Sequence, residues 1–250
     1  MVVALLGLAC LGAGPSSGPS AGDPIPSVEG RWAQRMVMTS LSNPPVIGTV
    51  TSRTVTHLVV DVRQHGEKIE LTAQTCDIDI ENSVNVVDTV VPPAFVHAIP
   101  QARREGRLVR SDGDFRIEID RSWTVFGAKL RQPETETLPT DRDDRRVLDS
   151  DGDDHPGITI RVSGLVSGKL YLVQRSWDRY SGRLTPDGDI VGTVDWHVEQ
   201  TVLGSNSIFL RDAPAAEPHP DDNKIHFAMV RIPSDADCQW LDRHRQVFPD

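Results

Sequence analysis

The sequence is short of several features that would assign a function directly. It has three cysteines and 5% aromatic residues among 250 residues. It contains no internal run of about 20 apolar residues, the length that a membrane-spanning helix needs. Acidic residues outnumber basic ones by 36 to 26, which gives a formal net charge of −10. This balance argues against nucleic acid and anionic membrane surfaces as main partners, because both attract basic proteins.

Motifs for familiar catalytic chemistry are also missing. We find no Gly-x-Ser-x-Gly nucleophile turn, no phosphate-binding glycine loop and no pair of histidines with zinc-protease spacing. The eight histidines are scattered, and we expect them on the surface or in turns. Paired carboxylates for glycoside hydrolysis depend on a distance in three dimensions, so the sequence leaves that alternative open.

Most of the chain alternates β-branched runs with turns. Phe115, Ile117 and Ile119 alternate with charged residues, a period of two that is typical of a half-buried strand. Glycine-containing turns at residues 65–67 and 186–188 predict hairpins. We therefore predict an all-β fold, an antiparallel barrel or sandwich of about ten to twelve short strands with a short C-terminal helix.

The sequence divides into three segments. Residues 1–10 suit a signal peptide, residues 11–27 predict a flexible Gly/Pro/Ser linker, and residues 28–250 predict a single β-rich domain. Within that domain we expect a long exposed acidic loop over residues 131–157, which is also a candidate boundary between two β halves. Ser234 is expected to cap a helix that runs to about Val247.

The N-terminal apolar segment ends in Leu8-Ala9-Cys10, which resembles a bacterial lipobox, although Gly7 stands where that motif usually has Leu. The resemblance implies that Cys10 is lipidated and that the protein is held in the cell envelope as a lipoprotein, touching the membrane only through its lipid anchor. The alternatives are a cleaved signal without lipidation, which gives a secreted protein, and an apolar segment that is not cleaved.

Cys76 and Cys238 remain once Cys10 is assigned to the N-terminal segment. In an exported protein, two such cysteines favour one disulfide, which would pin the C-terminal helix to the sheet. The alternative is a pair of buried unpaired thiols.

Residues 149–157 carry the strongest local signal for a bound ligand. Asp149, Asp151 and Asp153 alternate with small residues, and Asp154 follows. Calcium takes about six to eight oxygen ligands, and carboxylates at alternate positions of a tight loop can converge on one ion. We predict a calcium site formed by these four aspartates. The alternative is an acidic, solvated turn.

This Asp-x-Asp-x-Asp core resembles the calcium loops of EF-hands, dockerins and thrombospondin type 3 repeats. The resemblance ends where an EF-hand would have Gly at Asp154 and Glu at Ile160, and residues 158–162 predict a strand. It therefore implies a calcium-type loop and not the EF-hand fold.

Gly30-x-Trp32, at the start of the first predicted strand, resembles the opening of lipocalin-like and other calycin barrels. That resemblance implies a Trp that plugs one barrel end and an interior for a small apolar ligand. The alternative is an ordinary core Trp.

We predict an exported, non-enzymatic β-rich lipoprotein with a structural calcium loop. The alternatives are a calycin-like barrel that binds a small apolar ligand, an extracellular hydrolase with paired carboxylates, and an adhesion protein with a protein partner.

Overall fold

The computed structural model describes residues 24–44, 48–84, 87–111 and 114–248. The predicted signal peptide, Cys10 and most of the predicted 11–27 linker therefore lie outside the described residues. Within the described part of the chain, no helix has both the length and the apolar character needed to cross a membrane.

Eleven strands and two short α-helices make up the regular structure of the described residues, together with three 3₁₀ turns. The strands are β1 (Gly30–Ser42), β2 (Val50–His65), β3 (Lys68–Asn82), β4 (Val87–Val90), β5 (Ala102–Ser111), β6 (Asp114–Phe126), β7 (Ile158–Gly164), β8 (Gly168–Leu184), β9 (Ile190–Ser205), β10 (Glu217–Pro218) and β11 (Ile225–Arg231). The helices are α1 (Pro93–Ala98) and α2 (Cys238–Arg243), and the 3₁₀ turns are Ile208–Leu210, Asp222–Lys224 and Arg245–Val247. Six strands are 13 to 17 residues long, longer than the sequence predicted.

Eight of these strands close into an antiparallel barrel. Strands β1, β2, β3, β5, β6, β8, β9 and β11 each pair with the next in that order, and β11 pairs with β1. The prediction of an all-β antiparallel barrel or sandwich is thereby confirmed, in its barrel form. Closure gives each barrel strand a hydrogen-bonded neighbour on both sides.

The longest strand, β8, extends beyond the barrel wall. Its first part pairs with β7, where Leu172 lies opposite Ile158, and its second part pairs with β6, where Tyr180 lies opposite Ile119. Strand β4 adds to the far side of β7. The strands on either side of the acidic loop, β6 and β7, are therefore joined through β8 in one sheet.

Trp32 closes one end of the barrel. It is fully buried, and its indole N–H donates to the carbonyl oxygen of Val28 at 2.9 Å. The guanidinium of Arg231 lies 4.3 Å from the centre of the Trp32 ring. It donates to the carbonyl oxygens of Glu29 at 2.7 Å and Ser27 at 2.6 Å. These contacts hold the chain across the end of the barrel.

The main hydrophobic core fills the half of the barrel next to Trp32. Its fully buried side chains come from all around the wall and include Val60, Ile69, Ile117, Ile190, Phe227 and Met229. Glycine is required at two positions facing Phe227: a Cβ would lie 2.9 Å from its ring at Gly182 and 2.8 Å at Gly192. Large side chains therefore fill the end of the barrel next to Trp32.

The chain after β11 packs against the outside of the barrel. Leu241 and Phe248 form a separate hydrophobic cluster with Ala33, Val59 and Val230, which point outward from β1, β2 and β11. Both faces of these three strands are therefore buried.

The predicted disulfide between Cys76 and Cys238 is confirmed. It ties β3 to the first residue of α2, as expected for a bond that pins the C-terminal helix to the sheet.

The C-terminal helix is shorter than predicted. Helix α2 covers six residues, and its N-cap is Asp237, not Ser234. The reason is local: the Asp237 carboxylate accepts the N–H of Trp240 at 2.8 Å. Val247 belongs to a separate 3₁₀ turn.

The predicted loop before β7 is held against the barrel. Residues 127–157 form no strand longer than an isolated bridge. Arg175 of β8, only 8% exposed, donates to the carbonyl oxygens of Pro133 at 2.8 Å and Glu136 at 2.6 Å. One buried guanidinium therefore anchors the first part of the loop to the sheet.

Replacing both Cys76 and Cys238 with Ser should lower the free energy of unfolding by about 4–5 kcal/mol, because a long closed loop restricts the unfolded chain strongly. The bond joins residues 162 positions apart. Denaturant unfolding of the oxidised wild type and the double variant measures the difference, and reduced wild type should match the variant. Identical unfolding midpoints for oxidised wild type and the variant would contradict this prediction.

Candidate functional site

A cavity of about 740 Å³ occupies the barrel interior beyond the main core. Its far end is formed by a second hydrophobic cluster, which contains Phe95, Ile158, Val166, Leu170, Leu172 and Leu210. Helix α1 supplies Phe95, whose ring meets that of Phe126 edge to face at 5.1 Å between centres. The volume lies within the range of about 300–1,000 Å³ that is usual for small-molecule sites.

Neutral polar side chains line the cavity between its two apolar ends. This polar band consists of Thr54, Thr56, Ser122, Thr124, Gln174, Ser176 and Gln200. Strand pairing places similar polar side chains next to each other. Thr124 of β6 pairs with Ser176 of β8. Gln174 likewise pairs with Gln200 across β8 and β9. The middle of the cavity therefore offers hydroxyl and amide groups beside apolar side chains.

A charged pair lies at the edge of the polar band. Arg104 of β5 makes a bidentate ion pair with Asp178 of β8: one guanidinium nitrogen, Nη2, lies 3.0 Å from Asp178 Oδ2, and Nη1 contacts Oδ1. The Arg104 side chain is 10% exposed and that of Asp178 is 20% exposed. Each charge is therefore neutralised by the other inside the barrel, as burial of ionic groups requires.

Tyr180 completes this polar group. Its hydroxyl lies 3.5 Å from Asp178 Oδ2 and 3.4 Å from the sulfur of Met36. The guanidinium of Arg104 lies 5.1 Å from the centre of the Tyr180 ring. Burial, reinforced by the charge of Asp178, raises the pKa of Tyr180, so its hydroxyl stays protonated.

Sequence reasoning did not identify the Arg104–Asp178 pair. The two residues are 74 positions apart and share no motif. The available signal was the period of two along β8, which places Asp178 on the same face as Ser176 and Tyr180. A charge at an inward position indicates a partner across the barrel, but not which residue that partner is.

The structure brings together three of the four predicted metal ligands. Carboxylate oxygens of Asp149, Asp151 and Asp153 lie within 4.8 Å of one another, so a group that could hold a cation is present. The Asp154 carboxylate is not part of this group. Its backbone has a φ of 64°, and its N–H donates to Asp149 at 3.0 Å.

Asp149 organises the loop through its carboxylate. It accepts the backbone N–H groups of Gly152 at 2.7 Å, Asp153 at 3.2 Å and Asp154 at 3.0 Å. Burial opposes the effect, but these three donors lower the pKa of Asp149. The carboxylate is therefore held in its ionised form.

Asp151 has an acceptor oxygen left over. Its Oδ2 accepts the N–H of Thr159 at 2.9 Å, whereas Oδ1 is buried and has no hydrogen-bond partner. Burial and the neighbouring charge of Asp153 raise the pKa of Asp151 against the effect of the Thr159 amide. A buried acceptor without a donor, next to two further carboxylates, fits a hard cation such as calcium.

A second group of side chains of metal-ligand type lies beneath the residues that follow β11. No sequence motif predicted this group. It contains His57, Asp77 and Asp79. The guanidinium of Arg245 contacts His57 Nδ1 and donates to Asp77 Oδ2 at 3.1 Å. The positive charge next to this group is therefore the guanidinium of Arg245.

His57 also corrects the expectation that the histidines lie on the surface or in turns. It is 7% exposed, because the C-terminal segment covers the outer face of β2. Burial and the charge of Arg245 lower its pKa from 6.5 to about 4.

Comparison of the chain with protein-family models, with curated proteins and with solved structures found no match.

The lowered pKa of His57 predicts a specific pH dependence. The unfolded chain binds a proton near pH 6.5 and the folded protein only near pH 4, so the free energy of unfolding should fall as pH drops through this window. Replacing His57 with Gln should flatten the decline, measured by urea unfolding at several pH values. The matched control is His197→Gln, at an exposed position, which should follow the wild type. A wild-type curve and a His57→Gln curve of the same slope would count against the assignment.

Proposed function

We propose that this protein is an exported binding protein whose barrel holds a small, largely apolar molecule. The observation that carries the proposal is the cavity of about 740 Å³ between two hydrophobic clusters. Binding sites for small molecules are typically concave and mostly apolar, with a few polar groups that orient the ligand. The polar band and the Arg104–Asp178 pair supply such groups.

The form of the barrel supports this function. Trp32 and Arg231 close one end, in keeping with the calycin-like arrangement that Gly30-x-Trp32 implies. At the other end the cavity lining reaches Ser42, Pro44 and the exposed residue Gln101. This is the end at which a ligand would enter.

The cavity favours binding over hydrolysis by paired carboxylates. Among the described residues, Asp178 is the one carboxylate that lines it, and both of its oxygens contact Arg104. A retaining or inverting glycosidase needs two carboxyl groups about 5–10 Å apart. The barrel interior does not supply that pair.

We further propose that the acidic loop binds calcium with a structural role. The supporting observation is the group of Asp149, Asp151 and Asp153 with the unpartnered oxygen of Asp151. Asp154 as a fourth ligand remains a prediction. Thr159 of β7 donates to Asp151 and Asp153, so a bound ion would order the loop against the strand next to the cavity.

Export rests on the N-terminal sequence and agrees with the disulfide, since such bonds persist in oxidising compartments. We propose that Cys10 carries a lipid and that residues 11–27 tether the barrel to the membrane. Mass spectrometry of the protein from membranes would show a lipidated Cys10 peptide. An unmodified mature N-terminus in the medium would indicate secretion without an anchor.

Ligand binding can be tested by filling the cavity. Ser176→Trp places a large side chain in the polar band, whereas Ser181→Trp places the same side chain on the outside of β8. Titration with an uncharged fluorescent naphthylamine should give saturable binding to wild type and to Ser181→Trp. Binding to Ser176→Trp should be at least about tenfold weaker, a loss of about 1.4 kcal/mol. No saturable binding to the wild type, or equal affinity of the two variants, would refute the cavity as the site.

Calcium binding is tested by replacing one ligand. Asp151→Asn should lower calcium affinity, whereas Asp143→Asn, at an exposed acid outside the group, should leave it unchanged. Calorimetric titration measures both. Calcium at about 100 times its dissociation constant should stabilise the wild type by about 2.7 kcal/mol. Absence of any calcium-dependent shift in the thermal midpoint would show that the loop is an acidic turn without a calcium site.

A further inference from the structure

The charged side chains on the inner wall of the cavity sum to a net charge of zero. Three charged residues line the cavity among those described: Arg103, Arg104 and Asp178. Arg103 is exposed, and it pairs with Thr72 on the outer face of the neighbouring strands, whereas Arg104 pairs with the buried Leu71. The inner wall therefore carries one positive and one negative group, joined in a single bidentate pair.

This pair is already satisfied without a ligand. The Asp178 carboxylate accepts hydrogen bonds from two guanidinium nitrogens of Arg104. The Tyr180 ring lies against the same guanidinium. A ligand carboxylate that approached Arg104 would lie next to the carboxylate of Asp178, and like charges at close range repel. The ligand carboxylate would also lose its hydration, and the nearby guanidinium of Arg104 is already paired with Asp178. Burial of a charge without a partner of its own is unfavourable.

Uncharged polar groups find a different environment. The polar band presents hydroxyl and amide side chains that can both donate and accept hydrogen bonds. Apolar clusters lie on both sides of the band. A molecule with hydrocarbon portions and a neutral polar group, such as an alcohol, ester or amide, matches this order of surfaces.

We propose that the cavity selects uncharged amphiphiles and excludes their ionised counterparts, with Asp178 as the residue that sets this preference by occupying Arg104. The proposal rests on the proposed function, because it names the ligand class of the same cavity. It assigns to Asp178 a role in specificity in addition to any role in stability.

The test compares ligands that differ only in the head group. A medium-chain fatty acid, the alcohol and the primary amide of the same chain length compete at neutral pH with the uncharged naphthylamine probe. For the wild type, we expect the alcohol and the amide to displace the probe at least about tenfold more effectively than the carboxylate. Binding of the probe with equal or better displacement by the carboxylate overturns the proposal but leaves ligand binding in place.

Two variants identify the cause of the preference. Asp178→Asn leaves the Arg104 charge without a carboxylate and should reverse the order, so that the fatty acid becomes the best competitor. The double variant Arg104→Met with Asp178→Leu removes both charges and should keep the wild-type order. An unchanged order in a folded Asp178→Asn protein overturns the role of Asp178. Failure of the wild type to bind the probe refutes the proposed function itself, and this outcome is distinct from the others.

Discussion

The pairing of the last barrel strand with the first is the constraint on which the rest of this structure depends. Strand β1 has β2 along one edge and β11 along the other, and this arrangement converts an open sheet into a closed wall. Once the wall is closed, alternate residues of every strand must share one interior. The outward residues of β1, β2 and β11 then form the surface that Leu241 and Phe248 cover.

The interior is divided by side-chain size. Near Trp32, large apolar side chains meet in the centre, and even glycine is needed at Gly182 and Gly192 to admit Phe227. Farther along the same strands, Ser, Thr and Gln share the inward positions with apolar residues such as Ile78, Ile80 and Val198. The inward side chains leave the middle of this part of the barrel open, so the closed wall encloses space. The cavity therefore follows from residue choice along each strand and needs no separate structural element.

The sequence was most informative where the signal is local. Alternation along β6 and the turn before Lys68 predicted strands and a hairpin, and Cys76 and Cys238 were the two cysteines left to pair in the domain. Spacing also grouped Asp149, Asp151 and Asp153, because three residues of one turn stay close in any compact loop. Arg104 and Asp178 meet only because β5 and β8 flank β6, so their contact depends on strand order. The burial of His57 depends on where the chain end packs, which no motif within β2 records.

The disulfide has a consequence for the order in which the protein matures. Cys76 lies in the third strand, and its partner follows 162 residues later. With the export proposed above, the chain crosses a membrane N-terminus first, so Cys76 reaches the oxidising side long before Cys238 and remains there as a thiol. No other cysteine lies between the two, so the residues that arrive during this interval bring no alternative partner for Cys76. Oxidation can then join β3 to α2 only after the last strand, β11, has arrived.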